Sequence, residues 1–275
     1  MIHWDVSPEL LRLGPFALRW YGVCFALSFM LGYFIVRGIF RREHKPERDL
    51  DRLLFYMLAG TIVGARLGHC LFYEPAYYLS HPLEILMFWK GGLASHGGAI
   101  GIFTALFLYS RSRLEQPYLW LLDRIAVPTA LGGCFIRLGN LFNSEILGTP
   151  TDVPWAFVFA RIDDVPRHPA QLYESIAYLL IFIVLMVVYR KGGEKTPCGL
   201  LTGLFLALVF GARFLIEFVK VRQAAFGEAL PLSMGQLLSI PVIVIGLILL
   251  WRCRDLAGLP LDEAINSESN NTGES

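Results

Sequence analysis

The sequence predicts an all-α, polytopic integral membrane protein with about seven transmembrane helices. Hydrophobic residues occupy 55% of the 275 positions and charged residues only 17%, with a mean hydropathy of +0.52, and this composition differs from that of soluble globular chains. The apolar residues are also gathered in stretches close to the ~20 residues that a helix needs to cross a bilayer. The predicted spans are residues 20–37, 53–73, 93–109, 119–142, 172–189, 199–219 and 236–251.

The segments between and beyond the spans predict five regions. Residues 1–18 mix apolar and charged side chains, which is typical of an arm lying in the membrane interface. Residues 19–142 contain helices 1–4. Residues 143–171 are too polar and too rich in proline to span, so we expect a small folded head on the outer side. Helices 5–7 follow in residues 172–258, and the polar tail, residues 259–275, is expected to be disordered and cytoplasmic.

The distribution of basic residues predicts the orientation in the membrane. Lys and Arg cluster after the first, third, fifth and last spans, and loops enriched in these residues usually stay in the cytoplasm. We therefore expect the N-terminus outside and the C-terminus inside. The basic residues in question are Arg41, Arg42, Lys45, Arg48, Arg52, Arg111, Arg113, Arg190, Lys191, Lys195, Arg252 and Arg254.

Charge and cysteine usage exclude several classes of function. A net charge of +1 provides no basic surface of the kind that binds DNA or RNA, so no nucleic-acid partner is expected. The five cysteines are scattered without CxxC spacing, and no His, Cys or carboxylate pair has the spacing of a zinc site. We expect neither a metal nor another cofactor.

The most informative polar residues lie at the end of the fourth predicted span: Arg137, Asn140, Asn143 and Glu145. A charge in hydrocarbon costs at least roughly 2.5 kcal/mol on insertion scales, so intramembrane Arg and Glu usually face a bundle interior or a watery cavity and mark a functional site. Arg137 and Asn140 share a helix face at i, i+3, and Gly139 permits close approach of a backbone or ligand. This pattern favours function over packing.

Further polar residues interrupt the other spans. Arg213 and Glu217 stand at i, i+4, where they can form a buried ion pair, hold the arginine ready for an anion, or do both. Tyr21 opens the first span and His96 the third, and both of these ends are predicted to face outside. The polar groups therefore gather near one face of the membrane.

His96 lies between two glycine pairs, and its role has two interpretations. A histidine titrates near pH 6.5 and can exchange a proton at physiological pH. A hydrogen-bonded structural histidine is the other interpretation. By contrast, the run from His168 to Glu174 resembles a helix start with proline near the first turn, for which we expect a structural role.

Two other classes of membrane protein are weaker interpretations. A transporter or channel for an organic anion would also place Arg137 and Arg213 in a bundle core, but it needs access from both sides, whereas the polar residues gather at one end. An intramembrane protease is disfavoured because the sequence has neither a pair of intramembrane aspartates nor a GxSxG serine.

The central run resembles the signature of the bacterial prolipoprotein diacylglyceryl transferases, roughly G-R-x-G-N-F-x-N-x-E-x-x-G. Ile136 replaces a frequent glycine, and the aromatic residue is shifted one place to Phe142. Resemblance to the family also extends over residues 18–22, 64–68, 91–98, 168–174, 213–218 and 232–236. The matching residues of the central run are Arg137, Gly139, Asn140, Asn143, Glu145 and Gly148.

The resemblance implies transfer of a diacylglyceryl group from phosphatidylglycerol to the lipobox cysteine in the signal peptide of a preprolipoprotein, with release of glycerol phosphate. It implies a multi-pass protein of the bacterial inner membrane, in contact with membrane lipids and with its site near the periplasmic face. The expected catalytic residues are His96, Arg137 and Arg213, with His96 as base and the arginines on the phosphate. The expected substrate-binding residues are Tyr21, Arg137, Asn140, Asn143, Glu145, Gly148, Arg213 and Glu217.

The resemblance also suggests a division of labour among these residues. Tyr21, Asn140 and Asn143 are expected to donate hydrogen bonds to the headgroup or phosphate. Glu145 and Glu217 are expected to orient the two arginines. Because the donor is a lipid and the acceptor has a hydrophobic signal peptide, both substrates are expected to arrive laterally between helices.

Overall fold

The structure is a computed structural model, and its architecture divides into two compact units. The first unit contains Met1–Ile35 and the chain from Asp123 onward, and the second contains Val36–Leu122. Each unit is described by itself. The predicted tail, residues 259–275, lies outside the described part of the chain. The described residues are 1–14, 16–113, 115–221 and 232–257.

Eight α-helices lie in the described residues, joined in places by short 3₁₀ turns. Charges at several helix ends suit the helix dipole: Glu47 and Asp49 lie in the first turn of the second helix, and Arg41 and Arg42 in the last turn of the first. The helices are α1 Trp20–Arg42, α2 Glu47–Phe72, α3 Pro75–Ser80, α4 Ser95–Arg111, α5 Tyr118–Asn143, α6 Ala170–Gly192, α7 Leu200–Ile216 and α8 Met234–Ala257. The 3₁₀ turns are Pro82–Leu86, Phe88–Lys90, Gly193–Lys195 and Glu217–Val219.

The predicted all-α, polytopic membrane class is confirmed, but the count of seven spans is not. Within the described ranges, six helices are long and apolar enough to cross a membrane. They correspond to all predicted spans except the third. The third predicted span forms α4, whose 17 residues are about 26 Å long at the usual rise, close to the thickness of a hydrocarbon core.

Two small sheets accompany the helices, and both belong to the first unit. The first sheet has the order β1-β4-β5: β1 Ile2–Trp4 runs parallel to β4 Phe157–Phe159, and β5 Pro166–Arg167 pairs antiparallel with β4. The second is a hairpin of β2 Glu9–Leu13 and β3 Phe16–Arg19. The start of the predicted arm therefore pairs with the predicted head. The proposed domain boundaries and the interfacial position of the arm remain predictions.

An aromatic and aliphatic cluster joins the head to the end of α5. Phe159 is fully buried, and Phe157 and Leu141 are nearly so. Trp4 packs against them and donates a hydrogen bond from its indole nitrogen to the Leu141 carbonyl oxygen at 3.1 Å. This packing fixes the strand pairing beside the last turn of α5, where the polar run begins.

Within the first unit, a buried aspartate holds the beginning of α7. Asp123 accepts hydrogen bonds from the backbone N–H groups of Gly199 and Thr202 and from the Thr202 hydroxyl, at 2.6–2.8 Å. These bonds satisfy donors that a helix start leaves without helical partners. The close approach of Gly203 on α7 to Gly246 on α8 then lets these two helices pack tightly.

Within the second unit, α2 and α4 meet along a glycine seam. A Cβ added at Gly60 would lie 2.6 Å from the carbonyl oxygen of Gly101, and one added at Gly68 would lie 2.7 Å from the Cα of Gly97. At Gly64 the added atom would overlap the Gly97 carbonyl oxygen. The four-residue spacing places these glycines on one face, as in small-residue motifs that let membrane helices approach closely.

Arg66 of α2 makes hydrogen bonds that stabilise the fold of the second unit. Its side chain is buried, which requires that its donors be satisfied. The acceptors are all backbone carbonyl oxygens of the segment between α2 and α4, so Arg66 anchors this segment. They belong to Glu84, Ile85, Gly91 and Gly92, at 2.5–3.2 Å from the guanidinium nitrogens.

Candidate active site

The candidate site lies in the first unit around Arg137, near the end of α5. Its Nε lies 2.9 Å from Oε2 of Glu174 on α6, and its Nη1 donates a hydrogen bond to Oδ1 of Asn140 at 3.2 Å. The Arg137 side chain is only 11% exposed and that of Glu174 is fully buried. A guanidinium has five donors, so these two contacts leave donors for a further ligand.

Two asparagines hold the carboxylate of Glu145. Asn140 donates from Nδ2 to one Glu145 oxygen and Asn143 donates from Nδ2 to the other, each at 3.1 Å. Arg137, Asn140 and Glu145 therefore form a continuous polar chain. Glu145 is linked to Arg137 through Asn140, and its predicted role in orienting the arginine stays a prediction.

The turn after α5 has an unusual backbone that turns Glu145 back toward the helix. Ser144 and Ile146 have positive φ angles of 56° and 58°, a region that non-glycine residues rarely adopt and that is a genuine outlier for a β-branched residue. The Glu145 N–H donates to the Asn140 carbonyl oxygen at 3.0 Å. Such backbone strain persists only where surrounding structure enforces it, which is common at functional sites.

Gly148, at the end of this turn, is required by close packing. An added Cβ would overlap the carbonyl oxygen of His168 and lie 2.6 Å from the His168 Cβ. Gly148 also forms an antiparallel β-bridge with Lys220, which follows α7. The lack of a side chain at Gly148 therefore lets the turn pack against the His168 and Lys220 segments, and its predicted role in substrate binding stays a prediction.

Tyr21, in the first turn of α1, lies against α5. Its ring would lie 2.8 Å from a Cβ added at Gly139, so this glycine makes room for the tyrosine. The Tyr21 hydroxyl is within electrostatic range of both Glu145 and Arg137. The structure therefore brings Tyr21 together with the central run, as the sequence predicted.

Arg213 approaches the same region from α7. Both Arg213 and Arg137 act electrostatically on the hydroxyl of Tyr178, one turn after Glu174 on α6. Two arginines from separate helices therefore act on one buried tyrosine.

Glu217 pairs differently from one of the arrangements that its spacing allowed. Its Oε2 lies 3.0 Å from Nζ of Lys220, and its Oε1 accepts a hydrogen bond from the Ser233 hydroxyl at 3.0 Å. The Glu217 N–H still donates to the Arg213 carbonyl oxygen as in an α-helix, so the contacts with Lys220 and Ser233, and not a change of spacing, direct the carboxylate. Glu217 therefore serves Lys220 instead of Arg213.

His96 belongs to the second unit, at the start of α4. Its exposed imidazole stacks on Tyr73 with ring centroids 5.8 Å apart, and Phe72 meets it edge-on at 5.6 Å. A solvent-accessible imidazole flanked by aromatic rings is available for proton transfer. These contacts are compatible with both interpretations of this residue.

Two site residues were missed from the sequence, Glu174 and Lys220. Glu174 was interpreted as part of a structural helix start, and Lys220 was not among the predicted site residues. Lys220 Nζ lies 3.2 Å from Oε1 of Glu174, whose other oxygen meets Arg137. A signal was present, because a carboxylate within an apolar span and a lysine beside a span end both call for partners.

The fold and the site together define a multi-pass membrane protein with a buried cluster of cations, carboxylates and amides suited to an anionic ligand. Residues 8–252 match the family described as prolipoprotein diacylglyceryl transferase. The chain belongs to this family, which confirms the resemblance found in its motifs.

Individual relatives agree with the family match. The chain is 59% identical over 251 residues to the phosphatidylglycerol-prolipoprotein diacylglyceryl transferase of Chloroherpeton thalassium, covering 91% of this chain and 94% of the relative. The protein of the same name from Tolumonas auensis is 52% identical, with 91% and 96% coverage. That from Bacteroides fragilis is 45% identical over 258 residues, with 90% and 93% coverage. The similarity therefore extends over nearly the whole length of each relative.

Proposed function

We propose that this protein transfers the diacylglyceryl group of phosphatidylglycerol to the lipobox cysteine thiol of preprolipoproteins. The observation that carries the proposal is the buried polar cluster on α5 and α6, in which the Arg137 guanidinium lies 2.9 Å from Glu174 and is hydrogen-bonded to Asn140. The names of the relatives, all phosphatidylglycerol-prolipoprotein diacylglyceryl transferases, support the same substrates.

The reaction replaces a carbon–oxygen bond with a carbon–sulfur bond. The cysteine sulfur, as thiolate, attacks the carbon of the diacylglycerol moiety that bears the phosphate, and the bond between that carbon and the phosphate oxygen breaks. The electron pair of that bond stays on the phosphate oxygen, so glycerol phosphate leaves and a thioether remains. The thiol proton must go to a base, and negative charge must be stabilised on the departing phosphate.

The arginines have the chemistry that the leaving group requires. A guanidinium presents N–H donors in a planar fork that matches two phosphate oxygens, and its charge opposes the charge that develops as the C–O bond breaks. In this proposal Arg137 and Arg213 bind the phosphate. Tyr21 and the amides of Asn140 and Asn143 line the headgroup side, with Glu145 fixing the two amides.

The membrane setting follows from the substrates. The lipid donor and the hydrophobic signal peptide both diffuse within the bilayer, so the site is proposed to open laterally between helices near the periplasmic face of the inner membrane. The N-terminus is proposed to be periplasmic and the C-terminus cytoplasmic, in agreement with the basic loops. Phosphatidylglycerol and the signal peptide are thus the proposed partners.

The test is direct detection of the product. Purified protein is incubated with phosphatidylglycerol and a lipobox peptide, and the peptide is analysed by mass spectrometry. We expect a peptide adduct heavier by one diacylglyceryl group, with an equal amount of glycerol phosphate released. A peptide with serine in place of the lipobox cysteine is the control and should stay unmodified. Absence of the adduct with the cysteine peptide contradicts the proposed function.

A second prediction concerns His96. If His96 removes the thiol proton, His96→Gln should lower kcat by about 100-fold or more, because general-base catalysis contributes on that scale. Raising the pH should restore part of the lost rate, since a thiol with a pKa near 8.5 then ionises without help. A variant that keeps most of the wild-type rate at neutral pH contradicts the base assignment and leaves His96 a structural role.

A further inference from the structure

Arg137 is held by a buried chain of alternating charges that extends through four elements. Glu174 contacts Arg137 through one oxygen and Lys220 through the other, and Lys220 contacts Glu217 in turn. Ser233, just before α8, closes the chain by donating to Glu217. The Glu174 side chain is fully buried, at 0% exposure, and the Lys220 side chain is 6% exposed.

The first feature of this chain is its geometry around Arg137. Glu174 engages Nε, the edge of the guanidinium nearest the backbone, and therefore leaves the terminal nitrogens toward Asn140 and beyond. A fixed Nε edge orients the planar fork, because rotation of the side chain would break the ion pair in a buried environment. Glu174 thus fits a residue that sets the direction of Arg137.

The second feature is charge. An isolated Glu174 would neutralise Arg137 and weaken its attraction for an anion. Here Glu174 is shared between two cations, and Lys220 is itself shared with Glu217. The four charges of Arg137, Glu174, Lys220 and Glu217 cancel, and the positive charge of Arg213, which acts on Tyr178, offsets Glu145, which is joined to Arg137 through Asn140. Lys220 therefore reduces the extent to which the Glu174 carboxylate neutralises the charge of Arg137.

The third feature is that Lys220 is rigidly placed. The backbone on either side of it is hydrogen-bonded to the turn after α5: Thr149 N–H donates to the Val219 carbonyl oxygen at 2.9 Å, and Val221 N–H donates to the Leu147 carbonyl oxygen at 3.1 Å. These bonds fix the backbone of Lys220 beside the turn after α5, and the ion pairs with Glu174 and Glu217 hold its ammonium.

We propose that Glu174 and Lys220 are positioning residues that orient Arg137 and keep its guanidinium available for the phosphate of the lipid donor. This inference rests on the proposed function and deepens it. Neither residue takes part in bond making. Their effect passes through Arg137, so it appears chiefly in the binding of phosphatidylglycerol and in the rate of the step that releases the phosphate.

The test compares Glu174→Gln, Lys220→Met and Lys220→Arg in the thioether assay, with phosphatidylglycerol titrated in each case. We expect Glu174→Gln and Lys220→Met to lower kcat/KM by about 10- to 100-fold, the scale of loss when a catalytic group is misplaced. Lys220→Met should raise KM for the lipid, and Lys220→Arg should recover most of the loss. Asp163→Asn, which removes a carboxylate from the Arg167 ion pair of the head, is the matched control and should keep wild-type kinetics.

A second-site variant separates positioning from folding. Lys220→Met leaves Glu217 without its cation. The double variant Lys220→Met/Glu217→Gln removes the excess negative charge, so its KM for the lipid should fall part of the way back to the wild-type value. Thermal unfolding is measured for every variant. Unchanged KM and kcat in Lys220→Met overturn the inference, as does a loss that neither Lys220→Arg nor the second-site change relieves. Wild-type protein that forms no thioether would instead contradict the proposed function.

Discussion

Replacing Arg137 with glutamine is expected to lower kcat/KM for diacylglyceryl transfer by about 100- to 1,000-fold, the scale seen when one donor to a developing anion is removed from an active site. Glutamine keeps a polar side chain but has neither the positive charge nor the fork that a guanidinium offers to phosphate. Because Lys220 remains beside Glu174 at 3.2 Å, the buried carboxylate keeps a cation and the fold should survive. Thioether formation and thermal unfolding, measured on the same preparation, check both statements.

Two controls sharpen this experiment. Arg137→Lys keeps the charge without the bidentate geometry and should fall between wild type and Arg137→Gln. Arg167→Gln removes an arginine whose partner is Asp163 in the head, and it should keep wild-type activity. If Arg137→Gln turned over like wild type while Arg167→Gln did not, the phosphate would have to be bound elsewhere and the proposed site would be wrong.

The helical class and much of the candidate site were accessible from sequence because both follow from local patterns. Apolar stretches of transmembrane length predicted all six helices of the described residues that are long and apolar enough to span. The i, i+3 spacing predicted that Arg137 and Asn140 share a face, and the two side chains are hydrogen-bonded at 3.2 Å. Local spacing sufficed because both residues lie in one uninterrupted helix.

What the sequence did not predict depends on contacts between distant residues. Glu174 is the ion-pair partner of Arg137 although it belongs to a different helix, and hydropathy does not indicate which helices are neighbours. Similarly, Ile2–Trp4 pairs with Phe157–Phe159, strands of three residues that are too short to show an alternating pattern. The Arg213–Glu217 spacing was ambiguous because it does not indicate that Lys220 and Ser233 contact the Glu217 carboxylate.

The largest effect on stability is expected from Gly64→Leu in the glycine seam between α2 and α4. Even a single Cβ at this position would overlap the Gly97 carbonyl oxygen and lie 2.7 Å from the Gly101 Cα. Both neighbours are backbone atoms, which cannot move aside as a side chain can, so the two helices would have to separate along their whole contact. We expect little folded protein to accumulate after membrane extraction, measured by size-exclusion chromatography in detergent.

A graded series of substitutions tests whether close packing along the glycine seam causes the expected instability of Gly64→Leu. Gly64→Ala adds one methyl group and should destabilise the protein by about 1–3 kcal/mol, the usual range for overpacking a tight interior. Gly38→Ala on α1 is the matched control because an added Cβ has no atom within 4 Å there. Alanine is also the better helix former, so Gly38→Ala should be neutral or slightly stabilising. Equal unfolding temperatures for Gly64→Ala and Gly38→Ala would show that α2 and α4 tolerate separation and that the seam is not what holds them together.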